Sequence, residues 1–341
     1  MLIRCRPGWD IPPSAATPES VALGRRGLIA GAAALGVAGG LAGLPRFARA
    51  APSAPPSAPP SAPLAAGMSA AIPAEVPGPM AAPVDQRYPP GRPFTPPENV
   101  YTYNNYYEFS DQKGLWRKAA RLPMHPWSIT IDGLVAKKKT IAFEDLLKQV
   151  TLQERFYRHR CVEAWSITVP WTGFPLKRLL EIAEPLSAAK YVVFRTDENR
   201  HFMPGLSEPW YPWPYTEGLT MFEAANDLAI VAVGLYGQPL KPQNGGPIRI
   251  VVPWKYGFKS AKAIVRVTFS RNRPMTFWEE VDGHEYGFWA NVNPAVPHPR
   301  WSQARERLIG FDKVVPTEIY NGYAEWVDGM YKGIKGQQLY R

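Results

Sequence analysis

The chain has 341 residues, of which 45% are hydrophobic and 20% charged, with 38 prolines and a formal net charge of +10. That length and apolar fraction suffice for one large domain, while the basic excess contains no long Lys/Arg run of the kind that makes a nucleic-acid arm, so no nucleic acid is expected as a partner. Only two cysteines are present, Cys5 and Cys161, which excludes a disulfide-stapled fold.

Residues 1–50 read as an export signal. Arg25 and Arg26 precede a weakly hydrophobic Ala/Gly/Leu/Val run from Leu28 to Leu44, and Ala48-Arg49-Ala50 fits an A-x-A cleavage site. The run is shorter than the roughly 20 apolar residues of a spanning helix, so a cleaved leader is expected and not an anchor. The adjacent arginines followed by Leu28 and Ile29 favour the twin-arginine route over an ordinary Sec signal. That route carries folded proteins, often with a cofactor already in place, and it predicts a periplasmic location. Loss of the leader removes six arginines, Asp10 and Glu19, leaving +6 of the +10. It also removes Cys5, so Cys161 has no intrachain partner.

Residues 51–97, beginning APSAPPSAPPSAP, are rich in Pro, Ala and Ser and nearly free of charge. They are expected to be an extended spacer that orders only near Tyr101. From 98 to 341 the composition becomes globular and predicts a single domain. In chain order, WSITIDGLV (127–135) alternates as a strand, and Lys137-Lys138-Lys139 sits where it should turn over, at a solvated hairpin tip. AFEDLLKQV (142–150) predicts a short helix, ERFYRHRC (154–161) a strand leading into the cysteine, and GFPLKRLLEIAE (173–184) a helix with its proline in the first turn. The runs 189–196, 228–237, 246–254 and 261–270 are β-rich. Strands outnumber helices without regular βαβ alternation, so the fold class expected is α+β with a mixed sheet. No G-x-G-x-x-G, P-loop or G-x-S-x-G occurs.

Four segments cluster polar residues where a core would not ask for them: YNNYYEF (103–109), RHRCVEAWS (158–166), LKPQNGGPIRIVVPWKYGFKSAK (240–262) and YGFWANVNPAVPHPRWSQARER (286–307). Taken singly, each has an ordinary reading as turns, aromatic cover or solvated charge. For Cys161, a buried inert thiol, a nucleophile and a metal ligand all stay open. Its flanking arginines are expected to lower the thiol pKa and favour thiolate. Zinc fits poorly, because no C-x-x-C or H-x-x-x-H pair supplies further ligands, and C-x-x-C-H for haem attachment is missing. A loop with Asn244, two glycines, Arg249 and several lysines suits a polyanionic cofactor. A metal on one soft sulfur would then draw its other ligands from that cofactor.

Together the motifs YNNYYEF, RCVEAWS, PWTGFPL, PQNGGPIR, VPWKYGFKSAK, EYGFWANVNP and HPRWSQA, from about Tyr101 to the C-terminus, closely resemble the catalytic subunits of periplasmic protein-methionine-sulfoxide reductases. These are molybdenum enzymes of the sulfite-oxidase fold. The resemblance implies a single molybdopterin whose molybdenum is ligated by Cys161. It implies that Asn104, Tyr107, Glu108, Thr196, Asn244, Arg249, Ser260, Ala261 and Lys262 bind the cofactor, Arg249 and Lys262 at its phosphate end. Glu163, placed on the Cys161 side by strand alternation, is expected at the open coordination site. The implied reaction moves oxygen from the S=O of methionine sulfoxide to molybdenum, repairing oxidised periplasmic proteins. The electron donor implied is a membrane haem-binding subunit fed by quinone, with this chain peripheral to the membrane. A sulfite oxidase or general S-/N-oxide reductase of the same fold is the alternative, disfavoured by Val-Glu-Ala-Trp where sulfite oxidases often carry Ala-Gly-Asn after the ligand. A cysteine redox sensor, or a hydrolase pairing Cys161 with His159 or His201, are rivals from other classes.

Overall fold

The computed structural model describes residues 78–341. The expected leader (1–50) and the first part of the spacer lie outside the described residues. The strands are β1 (Ser128–Gly133), β2 (Lys139–Ala142), β3 (Gln153–Arg160), β4 (Trp165–Pro175), β5 (Tyr191–Thr196) and β6 (Thr216–Thr220). They continue with β7 (Ile230–Leu235), β8 (Gln238–Pro239), β9 (Arg249–Val251), β10 (Ile264–Ser270), β11 (Arg305–Leu308) and β12 (Lys313–Pro316). One sheet has the order β2-β1-β10-β5-β6, and a second has β12-β11-β4-β7-β8, with β3 joined to β4 and β9 to β7. Each sheet mixes one parallel pair, β1 with β10 and β11 with β4, among antiparallel ones. This is the mixed α+β class that the sequence pattern predicts.

The predicted strand at 127–135, the exposed Lys137 and Lys138 after it, and the helix Phe143–Leu147 all appear. The segment 173–184 divides differently. Its first three residues end β4, and the helix runs from Leu176 to Ala183 with Pro175 just outside it. That helix buries Leu176, Leu179, Leu180 and Ala183, the i, i+3, i+4, i+7 stripe of an amphipathic helix. Each buried leucine contributes about 1.5–3 kcal/mol of transfer free energy.

β4 itself is the main strand that periodicity missed. It pairs with β3 along one edge and with β11 and then β7 along the other, and it is buried on both faces. A strand covered on both faces has no alternation to read, and Pro170, Gly173 and Pro175 mimic a loop. Gly173 lies at an irregularity in the β4–β7 pairing, where a Cβ would stand 2.2 Å from the Val231 carbonyl oxygen.

The spacer expected to run to residue 97 is corrected at its C-terminal end, because residues 78–97 are bound to the domain. Met80 donates its N–H to Gly237 O (2.9 Å), Asp85 to Glu154 O (2.9 Å) and Thr95 to Thr168 O (2.8 Å). Tyr88 is buried, Phe94 meets Phe156 edge to face, and Arg92 pairs with the buried Glu306. A few aromatic and charged anchors fasten a stretch whose Pro/Ala composition alone reads as linker.

Gly173→Ala is expected to force β7 from β4 and lower the unfolding free energy by about 1–3 kcal/mol in urea denaturation. An unchanged midpoint would contradict the close approach of the two strands.

Candidate active site

The hairpin of β3 and β4 places Cys161 at its tip. Register runs from Gln153–Gly173 to Arg160–Ser166, and residues 161–164 make the turn. Cys161 N–H donates to Trp165 O (2.9 Å), Ala164 N–H donates to Cys161 O (3.2 Å), and Ala164 takes a left-handed φ of 60°. The C-terminal part of the chain holds the tip from outside, since Trp301 Nε1 and Gln303 Nε2 both donate to Val162 O (2.8 and 2.9 Å).

Glu163 does reach the sulfur, but through this turn and not through strand alternation. Its backbone N–H lies 3.5 Å from Cys161 Sγ, and Asn105 Nδ2 lies 3.5 Å from the same sulfur. Asn105 Nδ2 also donates to Glu163 Oε2 (3.2 Å), as does Trp165 Nε1 (2.9 Å), and Lys113 Nζ pairs with that oxygen at 2.5 Å. Lys113 in addition donates to Asn105 Oδ1. Burial pushes the Glu163 carboxyl up, but the Lys113, Trp165 and Asn105 bonds outweigh it and hold the group below the usual carboxylate range. Neither Arg158 nor Arg160 touches Glu163.

Burial, then the Glu163 charge, push the Cys161 thiol up to about 12 and outweigh the downward pull of Lys113 and, as expected, of Arg160, so the arginines alone do not make it a thiolate. Arg158 is turned to Glu318 (2.5 Å), and Arg160 is fully buried against Glu306 (2.6 Å) and Gln303 (2.8 Å). Both are structural ion pairs. In the chain alone the sulfur is therefore a protonated thiol, and its deprotonation calls for a stronger cation such as a metal. Among the described residues no hydrogen bond joins Cys161 to a histidine, and burial with the charges of Arg249 and Lys262 drives His159 well below its usual range.

The remaining predicted residues converge beside this turn. Asn104 and Asn244 both donate from Nδ2 to Val100 O (3.0 Å each), which leaves their Oδ1 atoms without a partner among the described residues. Glu108 Oε1 accepts from Thr196 Oγ1 (3.0 Å). Tyr107 packs edge to face on Tyr211 and Trp278; burial first, then the charges of Glu163 and Cys161, raises its phenol. Arg249 donates to Asn244 O (2.8 Å) and Ser260 O (3.2 Å), while Ser260 Oγ accepts from Val252 N (3.2 Å) and Ala261 O from Ile250 N (3.0 Å). Lys262 lies over the Tyr106 ring at 5.2 Å. Gly245, at φ 92°, lets it approach, because a Cβ there would stand 2.7 Å from Lys262 Cγ.

The basic residues of 240–262 divide into two kinds. Lys255 pairs with Glu223 (2.6 Å) and Lys259 with Glu217, all four fully buried. These two lysines are structural and stand apart from the expected cofactor set. Arg249 and Lys262, by contrast, form no salt bridge among the described residues. Burial pushes Arg249 down to about 10, and burial with the Arg249 charge pushes Lys262, half-buried by surface exposure, down to about 8, against the opposing pull of Glu108 and Cys161. A buried charge without a counterion, such as the Arg249 guanidinium, costs several kcal/mol. That guanidinium and the Lys262 ammonium, beside two orphaned amide oxygens and the orphaned Tyr106 hydroxyl, fit a polar anionic ligand with its own N–H donors.

Among the described residues no group of three or more His, Cys, Asp or Glu could hold a metal ion. A metal on Cys161 would thus take most of its ligands from a bound group. A cleft of about 530 Å³ lies elsewhere, lined by Arg195, Trp213, Met275 and Phe277 among others, and contains none of these site residues. Asn105 and Lys113 were not among the residues expected at the site. Asn105 adjoins Asn104 in YNNYYEF, but nothing local marks Lys113, whose contact with Glu163 spans 50 residues.

Comparison with known proteins agrees with this picture. Residues 118–278 match the family described as oxidoreductase molybdopterin binding domain. The chain is 44% identical over 334 residues, 96% of its length and 95% of the relative's, to the protein-methionine-sulfoxide reductase catalytic subunit MsrP of Burkholderia mallei. It is 44% identical to the same-named proteins of Ralstonia nicotianae, over 96% of this chain and 95% of that one, and of Pseudomonas syringae pv. tomato, over the whole of both. A structural likeness to the sulfane dehydrogenase SoxCD of Paracoccus pantotrophus, at 19% identity and TM-score 0.40 over 49% of this chain and 43% of that one, is too slight to carry an argument.

Two substitutions of the same chemistry separate the two kinds of lysine. In cofactor-free protein, Lys259→Met breaks a fully buried salt bridge, strands Glu217 and should lower the unfolding free energy by about 3–5 kcal/mol, whereas Lys262→Met removes a half-buried ammonium that acts on Glu108 without a salt bridge and should cost clearly less. Urea unfolding of both variants checks this, and equal losses would contradict it.

Proposed function

Because the chain belongs to the family of protein-methionine-sulfoxide reductase catalytic subunits, we propose that it reduces methionine sulfoxide residues of proteins with a molybdenum–molybdopterin cofactor attached through Cys161. The observation that carries the reading is a buried thiol, the only cysteine among the described residues, together with the buried Arg249, which has no carboxylate partner, and the half-buried Lys262, which feels Glu108 but forms no salt bridge with it. Together with the seven other predicted residues around them, these two cations would hold the pterin. Arg249 and Lys262 match its phosphate, and the Asn104 and Asn244 Oδ1 atoms accept from ring N–H groups.

When bound, the cofactor would supply a two-electron donor that takes up the sulfoxide oxygen. Overall, one sulfoxide takes up two protons and two electrons and yields one thioether and one water. The chain's own part is to bind, orient and shield. The Lys113 and Glu163 side chains are 28% and 31% exposed, so the sulfur end of the site opens to solvent and can take a side chain that belongs to another protein. Tyr103 stacked edge-on against Trp165, together with Tyr107 and Tyr286, whose phenols feel the Cys161 charge, gives an apolar aromatic surround. Such rings suit the methyl and methylene groups of methionine. Asn105 Nδ2 and Lys113 Nζ supply N–H donors at the polar side.

The location is the periplasm, reached folded by the twin-arginine route. This is supported by Arg25-Arg26 and the short apolar run after them. No helix among the described residues is long and apolar enough to cross a membrane. The sequence has no C-x-x-C-H haem motif, and the proposed electron source is a membrane haem-binding subunit.

Cys161→Ser should fold normally and lose reductase activity toward oxidised protein by more than about 100-fold, since even residues that only support a ligand are worth 10–100-fold. Turnover of a methionine-sulfoxide-containing protein with a reduced viologen dye is the assay. Wild-type turnover in the variant would overturn the assignment.

A further inference from the structure

Lys113 is a loop residue 48 positions before Cys161 in the chain, yet its ammonium bonds both side chains whose residues donate an N–H toward the sulfur. Its ammonium bridges Asn105 Oδ1 and Glu163 Oε2, and both of those residues have an N–H at 3.5 Å from Cys161 Sγ. An asparagine amide can present either end to a neighbour, and its partners decide which. Lys113 can only donate, so it takes Oδ1, and Nδ2 is left facing the two acceptors, Cys161 Sγ and Glu163 Oε2. The same ammonium neutralises the Glu163 carboxylate, which otherwise stands uncompensated beside an anionic sulfur.

Resting on the proposed function above, we infer that Lys113 is a positioning residue for the sulfur ligand, one that fixes the Asn105 N–H on Cys161 Sγ and cancels the charge of Glu163. Two consequences have the same sign. Without Lys113, the N–H donation to sulfur weakens, and an unbalanced negative charge remains near the ligand. Both raise the electron density on the sulfur, and both make a metal bound there harder to reduce, because hydrogen bonds to sulfur and local charge set the potential. The neighbouring cations do not replace it at Asn105 and Glu163. Arg160 pairs with Glu306 and donates to the Cys161 carbonyl oxygen, Arg158 pairs with Glu318, and Arg307 is held at the Tyr103 hydroxyl (3.1 Å).

The test uses the purified holoprotein as wild type, Lys113→Met, Lys113→Arg and the double variant Lys113→Met/Glu163→Gln. Molybdenum content, the midpoint potential of the metal read by redox titration with paramagnetic resonance, and kcat and KM are measured on each. The expected result for Lys113→Met is unchanged molybdenum content, a potential shifted to more negative values, and kcat lowered by roughly 10–100-fold with KM little changed. Lys113→Arg should recover part of the potential, and the double variant should move it back toward wild type because the charge is again balanced. A Lys113→Met potential equal to wild type would overturn the inference. So would loss of the metal from that variant with retention in Lys113→Arg, since the side chain would then serve retention and not tuning. Wild-type protein that carries no molybdenum, or that leaves methionine sulfoxide unreduced, would instead sink the proposed function.

Discussion

The charge of a buried guanidinium without a counterion, Arg249, is the constraint around which the site is built. Arg155, Arg160, Lys255 and Lys259 are as deeply buried as Arg249, and each of them meets a carboxylate within the fold. Arg249 meets only carbonyl oxygens and the Trp171 ring, and Lys262 lies over the Tyr106 ring and feels Glu108 without a salt bridge to it. Burying a guanidinium in this way costs several kcal/mol that no carboxylate of the chain offsets. Its presence points to an anion from outside the chain. The orphaned oxygens of Asn104 and Asn244 point the same way, toward a ligand that also donates.

The fold meets that constraint with rigid parts. Cys161 sits on a two-strand hairpin whose β4 is locked between β3 on one side and β11 and β7 on the other. Two side chains from the C-terminal segment clamp the hairpin tip at Val162 O. The anion-facing Arg249 and Lys262 come from the 244–262 segment, in which two other lysines, Lys255 and Lys259, are tied down by Glu223 and Glu217. Precision at the sulfur thus comes from the second sheet, and charge at the ligand's far end comes from a loop braced by ion pairs. The thiol, pushed up to about 12 in the chain alone, belongs to the same logic: it is inert until a cation stronger than any side chain binds it.

Much of this was legible in the sequence. Local signals found the strands at 127–135, 154–161, 189–196 and 261–270, the helix after Pro175, and the isolation of Cys161. Family motifs led to Asn104, Glu108, Thr196, Asn244, Arg249 and Lys262, which the fold does bring together. What stayed hidden was long-range. β4 is masked by its prolines and double-sided burial, and residues 78–97 by a linker-like composition. Arg158 and Arg160 read as support for a thiolate because they adjoin Cys161 in sequence, but distant acids turn them to Glu318 and Glu306. Lys113, which does reach the site, carries no mark at all in its own segment.

Under the proposed function, this charge arrangement holds a single molybdenum-bearing, anionic cofactor on Cys161. The most direct measurement is the metal-to-protein ratio of wild-type protein purified from a host that makes molybdopterin. The expected result is one molybdenum per chain, released together with an organic phosphate when the protein is unfolded. Protein that is folded, monodisperse and free of both molybdenum and pterin would contradict it.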